Sequence, residues 1–282
     1  MKRWHMIIDI DKCENCNNCF LSCKDEHCGN DWSGYAAPQP LHGQRWMNIL
    51  RKERGKFPVI DVAYRPSPCM HCADPPCLRA AGNGAVTRRD DGIVLIDPLK
   101  ARGQHDLVQA CPYGAIWWNE EKQIPQKCTF CAHLLDSGWK QPRCVQACPT
   151  GALSVVHADE AEMQEMAASQ KLEVIERGSP PARPSVYYRN LSRFTACFIA
   201  GSLARRDGGR EECLSGATVR LHQNERTVDT TLSDEFGDFK FDGLAQHSGK
   251  YRIEIECQDQ TPREIEALVE GSASCSLGVI WV

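Results

Sequence analysis

Residues Cys13-Glu14-Asn15-Cys16-Asn17-Asn18-Cys19-Phe20-Leu21-Ser22-Cys23 form a C-x2-C-x2-C-x3-C run, and no other stretch restricts the fold as strongly. The two x2 steps bend a short loop so that three thiolates face one point. The x3 step carries the fourth cysteine away, onto the start of a helix. That spacing suits a [4Fe–4S] cluster whose fourth ligand comes from a second run, while the fourth cysteine of the first run serves the neighbouring cluster. A partner run is therefore expected elsewhere in the chain. Zinc is the competing occupant, but it takes paired C-x2-C knuckles rather than a triple with an x3 tail.

Composition narrows the setting. Of 17 cysteines, 13 precede residue 150. A disulfide scaffold with so many would be short and secreted. The segment from Met1 to Cys13 is too short for a signal h-region and cleavage site ahead of the first ligand, so the thiols are expected to be metal ligands made in a reducing, cytoplasmic compartment. Export alongside a signal-bearing partner is the alternative. A net charge of −4 supplies no basic field for nucleic acid. No apolar run approaches the length of a membrane span, so no direct membrane insertion is expected.

Two further groups of cysteines follow. Cys69-Met70-His71-Cys72-Ala73-Asp74-Pro75-Pro76-Cys77 is C-x2-C-x4-C, and an x3 fourth ligand would fall on Ala81. Cys111-Pro112 has the Cys-Pro ending of a ferredoxin run, but the positions that should precede it are Ala101, Gln104 and Leu107. The last group is Cys128-Thr129-Phe130-Cys131, then Cys144-Val145-Gln146-Ala147-Cys148-Pro149, a run with one enlarged loop. The deficiencies match. Cys69, Cys72 and Cys77 lack a fourth ligand, and Cys111 lacks its first three. Together they complete one site. By the exchange rule Cys13, Cys16 and Cys19 pair with Cys148, and Cys128, Cys131 and Cys144 pair with Cys23. A fourth site has lost Ala81, Ala101, Gln104 and Leu107 together, which reads as a missing cluster rather than scattered erosion. Three [4Fe–4S] clusters are expected. Cys28, Cys197, Cys213, Cys257 and Cys275 are left without an assigned role and read as buried, apolar-behaving side chains.

The remaining pattern gives an α+β chain. Residues 1–156 read as a duplicated ferredoxin-like iron–sulfur domain with a strand at His5–Asp11 and a hairpin around Asp90-Asp91-Gly92. Residues 29–66 read as an insertion, in which Arg51-Lys52-Glu53-Arg54-Gly55-Lys56 is a solvated turn, with partner docking as the alternative. Residues 157–194 read as a helix over about 158–170 and a linker at 178–184. From 195 to 282, short alternating runs separated by turn clusters argue for an antiparallel β-sandwich.

On these motifs residues 1–155 resemble the iron–sulfur subunits of molybdopterin oxidoreductases of the dimethyl-sulfoxide-reductase family. The three-cluster pattern, Gly82-Asn83-Gly84-Ala85-Val86 and the C-terminal β domain resemble one branch of it, the small subunits of pyrogallol–phloroglucinol transhydroxylases and resorcinol hydroxylases. Asp234-Glu235-Phe236-Gly237-Asp238-Phe239-Lys240-Phe241 resembles transthyretin-like or carboxypeptidase-regulatory modules. The resemblance implies a non-catalytic electron-transfer subunit. Its partner would be a large subunit carrying bis-molybdopterin guanine dinucleotide, where phenolic rings are hydroxylated or transhydroxylated anaerobically. A reductase for another small acceptor, or a scaffold with structural clusters, are the competing readings. The family arrangement also implies that the lost cluster lay between the Cys69 cluster and the other two, interrupting the wire. Side chains such as Ala81, Ala101 and Leu107 would fill its space.

Overall fold

The computed structural model describes residues 1–257 and 262–282. The chain divides into two compact units, one of residues 1–50 and 64–191, the other of residues 51–63 and 192–282.

The first unit is organised by strand Arg3–Asp9, whose last five residues are all buried. It pairs antiparallel with Leu153–Ala158 on one side and parallel with Val186–Arg189 on the other. The chain thus leaves this strand into the first cysteine loop and returns beside it after the last one. Helix Asn18–His27 starts within the first cysteine run and carries Cys19 and Cys23 on its buried face. Residues 86–88 and 94–96 form the hairpin expected around Asp90-Asp91-Gly92, and a second hairpin joins Trp117–Asn119 to Ile124–Gln126. Helix Glu160–Ser169 opens on a capping box. The Asp159 carboxylate accepts from the Glu162 N–H at 3.0 Å, and the Glu162 carboxylate accepts from the Asp159 N–H at 2.8 Å. Its Met163 is buried against Ile7 and Leu172.

The second unit is a β-sandwich. In one sheet Cys197–Asp207 pairs antiparallel with Asp238–Leu244 and Arg210–Cys213, and parallel with Cys275–Trp281. The other is fully antiparallel, in the order Arg226–Leu232, Thr218–Gln223, Gly249–Glu256, Arg263–Val269. Strand period two sends Tyr251, Ile253 and Ile255 inward, where they share a core with Val219, Leu221, Phe239 and Phe241. The turn into Asp238–Leu244 requires Gly237. Its φ is +79°, and a Cβ there would lie 2.3 Å from the Leu203 carbonyl oxygen.

The Arg51–Lys56 stretch corrects the reading of a solvated turn. It lies in strand Asn48–Lys56, which pairs with Val59–Ser67, and residues 51–63 belong to the sandwich unit. Arg54 is buried there because two carboxylates, Asp61 and Asp242, bind its guanidinium.

Candidate iron–sulfur sites

The cysteine loops are built from residues with left-handed backbone. Asn15 and Asn17 have φ of 55° and 62° in the first loop, His71 has 41° in the second, and Phe130 and Cys131 have 58° and 49° in the last. Such conformations cost energy outside glycine and persist where the surroundings over-determine them. Here they turn backbone N–H groups toward sulfur. Phe130 N–H donates to Cys128 Sγ at 3.3 Å and Ala115 N–H to Cys111 Sγ at 3.4 Å. The backbones of Phe20, Met47 and Arg143 work against burial on Cys19, Cys23 and Cys131, lowering their thiols. N–H groups aimed at sulfur stabilise it as an anion.

The electrostatics of the thiols report which lie together. Burial pushes Cys19 up to about 12, and the charges of Cys13, Cys148 and Cys16 push in the same direction. Burial also holds Cys23 and Cys144 well above the usual thiol range, with Cys128 and Cys131 acting on both and Cys23 acting on Cys144. Burial lifts Cys77 to about 11, and Cys69 and Cys111 add to it. Cys72 is raised by burial and then by Cys69, Cys111 and Cys77. The neighbourhoods are therefore Cys13/Cys16/Cys19/Cys148, Cys23/Cys128/Cys131/Cys144 and Cys69/Cys72/Cys77/Cys111. Thiols so reluctant to ionise need a cationic centre to become ligands, because metal binding requires the thiolate.

The donor chemistry fits iron–sulfur clusters. The thiols of the third set line a small cavity, walled by Met70, Pro75, Val94, Pro112 and Ile116 and carrying one cation, Lys127. Among the described residues, no three His, Cys, Asp or Glu side chains converge as a single metal ion would require. The leftover cysteines stand apart. Cys197 is in the sandwich core with Cys257 and Cys275 packed against it, and Cys213 is exposed.

The three sets adjoin in a fixed order. Cys19 of the first acts on Cys144 of the second. Burial and then the charge of the Cys69 sulfur of the third push the Cys128 thiol of the second up, and the Cys69 backbone pulls it down. These couplings run against the expectation of an interrupted wire, because the third set acts on the second directly. Ala81, Ala101 and Leu107, where a further set would need ligands, pack beside the third set. Ala101 and Leu107 are fully buried with Val86, Val94, Ile96 and Ile116, in a cluster that includes Cys77 and Cys111 but no cysteine of the other sets. Gln104 pins the adjoining loop, accepting from the Gly82 N–H at 3.0 Å and donating to the Lys100 carbonyl at 2.8 Å.

Other contributors carry little signal in sequence. Trp46 and Met47, deep in the 29–47 segment, are buried. Trp46 lies against His27, whose Nε2 is 3.9 Å from Cys131 Sγ. Burial, then the charge of His133, lowers His27 to about 3, so it stands neutral beside the sulfur. His71 accepts from the Val94 N–H through Nδ1 at 3.1 Å. Only the proximity of His71 and Lys127 to cysteines could have marked them.

Comparison with known proteins agrees with this geometry. Residues 60–158 match a 4Fe-4S dicluster domain. The chain is 44% identical to the pyrogallol hydroxytransferase small subunit of Pelobacter acidigallici, over 99% of each protein. It is 36% identical to a tetrathionate reductase subunit of Salmonella typhimurium, over 53% of this chain and 56% of that one. It is 31% identical to a component of the anaerobic dimethyl sulfoxide reductase of Escherichia coli, over 56% of this chain and 75% of that one. With cysteine loops of this kind and relatives of this kind, one of them matched from end to end, the protein belongs to the family of iron–sulfur subunits of molybdopterin oxidoreductases.

Proposed function

We propose that this chain carries three [4Fe–4S] clusters, held by Cys13, Cys16, Cys19 and Cys148; by Cys23, Cys128, Cys131 and Cys144; and by Cys69, Cys72, Cys77 and Cys111. It exchanges electrons with a large catalytic subunit that holds bis-molybdopterin guanine dinucleotide and hydroxylates or transhydroxylates phenolic rings. The observation that carries this reading is a set of twelve cysteines, most of them buried, in a chain matched from end to end by the pyrogallol hydroxytransferase small subunit. The clusters supply one-electron redox chemistry. The chain's residues bury the sulfurs, aim amide N–H groups at them and exclude water, which sets potentials. No helix among the described residues is long and apolar enough to cross a membrane, and we place the complex in the cytoplasm. The relative named for pyrogallol supports a phenolic substrate.

The test is anaerobic purification of the tagged chain from its native host. A large molybdenum-containing subunit should co-purify, and adding a di- or trihydroxybenzene to the complex should change the cluster EPR signals. Recovery of the chain with all its iron but no molybdenum partner would contradict the proposal.

A further inference from the structure

Lys127 is a buried cation that electron transfer through the cysteine sets does not by itself require. The residue is 3% exposed. Its Nζ donates to the carbonyl oxygens of Val94 and Cys128, the latter at 3.0 Å. It lines the same cavity as Cys69, Cys72, Cys77 and Cys111, and among the described residues no Asp or Glu lines that cavity. Its charge acts on the third set and on Cys128 of the second. A charge taken out of water without an ionic partner is expensive. What offsets the cost here has to be negative and has to sit in the cavity.

Four thiolates around an iron–sulfur cage are such a partner, and adding an electron makes the cage more negative still. A cation held across a dry wall therefore favours the reduced form. The chain contains its own control. Lys12 precedes Cys13 as Lys127 precedes Cys128, but Lys12 is exposed, so water and salt screen it.

We propose that Lys127 is the fixed counter-charge that raises the reduction potential of the cluster at Cys69, Cys72, Cys77 and Cys111, making it the place where an electron comes to rest. Lys127 is a positioning residue for the electron, not a ligand. The proposal rests on the ligand assignment given under Proposed function.

EPR-monitored redox titration of the complete, cluster-loaded chain tests it, with variants Lys127→Gln, Lys127→Arg and Lys12→Gln. Gln keeps a donor for the carbonyls and removes the charge. It should lower the reduction equilibrium constant of one cluster at least tenfold, about 59 mV for a one-electron couple. Lys127→Arg and Lys12→Gln should leave that potential in place, and iron content should be equal throughout. Loss of that one cluster in Lys127→Gln, with retention at the original potential in Lys127→Arg, also supports the role of charge. An unmoved potential in Lys127→Gln at full iron, or loss of the cluster in both Lys127 variants, overturns it. A wild-type iron content far from about twelve per chain would instead refute the three-cluster assignment, so the two failures are distinguishable.

Discussion

Arg54 joins parts of the second unit that are far apart in sequence. Its side chain is 0% exposed. The guanidinium binds Asp61 and grips both oxygens of Asp242, at 2.8 and 2.9 Å, with its carbon 5.2 Å from the centre of the Phe198 ring. Arg193 also donates to Asp61, at 3.2 Å. Without Arg54, Asp61 would keep Arg193 and Lys240 and Asp242 would keep Lys240, so the loss is that of charge-assisted hydrogen bonds, about 1.5–3 kcal/mol. Arg54→Met should destabilise the sandwich by that amount, read as faster hydrogen exchange in strands Thr218–Gln223 and Gly249–Glu256 with no change in Arg3–Asp9. Acid should act through Asp61. Burial would raise its pKa, but hydrogen bonds from Arg54 and Arg193 outweigh burial and hold it at about 2. The unfolded chain, with Asp near 3.9, binds more protons in that window. The contribution is therefore complete above about pH 4 and lost as pH falls toward 2. An Asp61→Asn variant should show a shallower acid dependence. None of this was legible in Arg51–Lys56, whose partner Asp242 lies 188 residues beyond Arg54.

At the level of elements, the short helix Asp106–Gln109 stands where a fourth cluster would need ligands. Its Leu107 is buried with Ala101 against Val94, Ile96 and Ile116. If side-chain packing has replaced the cluster, the leucine is a core residue. Leu107→Ala should then cost about 2–5 kcal/mol, while Leu107→Met should cost less than about 1.5. Hydrogen exchange of the Val86–Arg88 and Val94–Ile96 hairpin would report both, and a neutral Leu107→Ala would remove the packing argument. Cysteine spacing is what suggests this replacement in sequence, because ligand positions are countable. The hairpin around Asp90-Asp91-Gly92 was equally visible, as two apolar runs about a turn signal. The pairing of Val186–Arg189 with Arg3–Asp9 was not, because a parallel partner about 180 residues away leaves no local periodicity. Nor was the strand Asn48–Lys56, whose alternation is masked by charge.

For the molecule as a whole, the consequence is the order of the cysteine sets. Spacing and the exchange rule group the cysteines in the proposed way, but they do not order the groups. That order rests on the action of Cys69 on the Cys128 thiol, between loops 59 residues apart in sequence. On the proposed order the Ala101 and Leu107 positions, which pack with Cys77 and Cys111, stand at the end of the path instead of its middle. On the proposed assignment the path is shortened and unbroken. Iron and acid-labile sulfide analysis of the anaerobically purified chain, together with Cys111→Ala, Cys148→Ala and Cys28→Ala variants, tests the central claim most directly. The account predicts about twelve irons in the wild type and in Cys28→Ala, and about eight in each of the other two, four being lost with each cluster. About eight or about sixteen irons in the intact wild-type chain, or a loss of iron in Cys28→Ala, would contradict it.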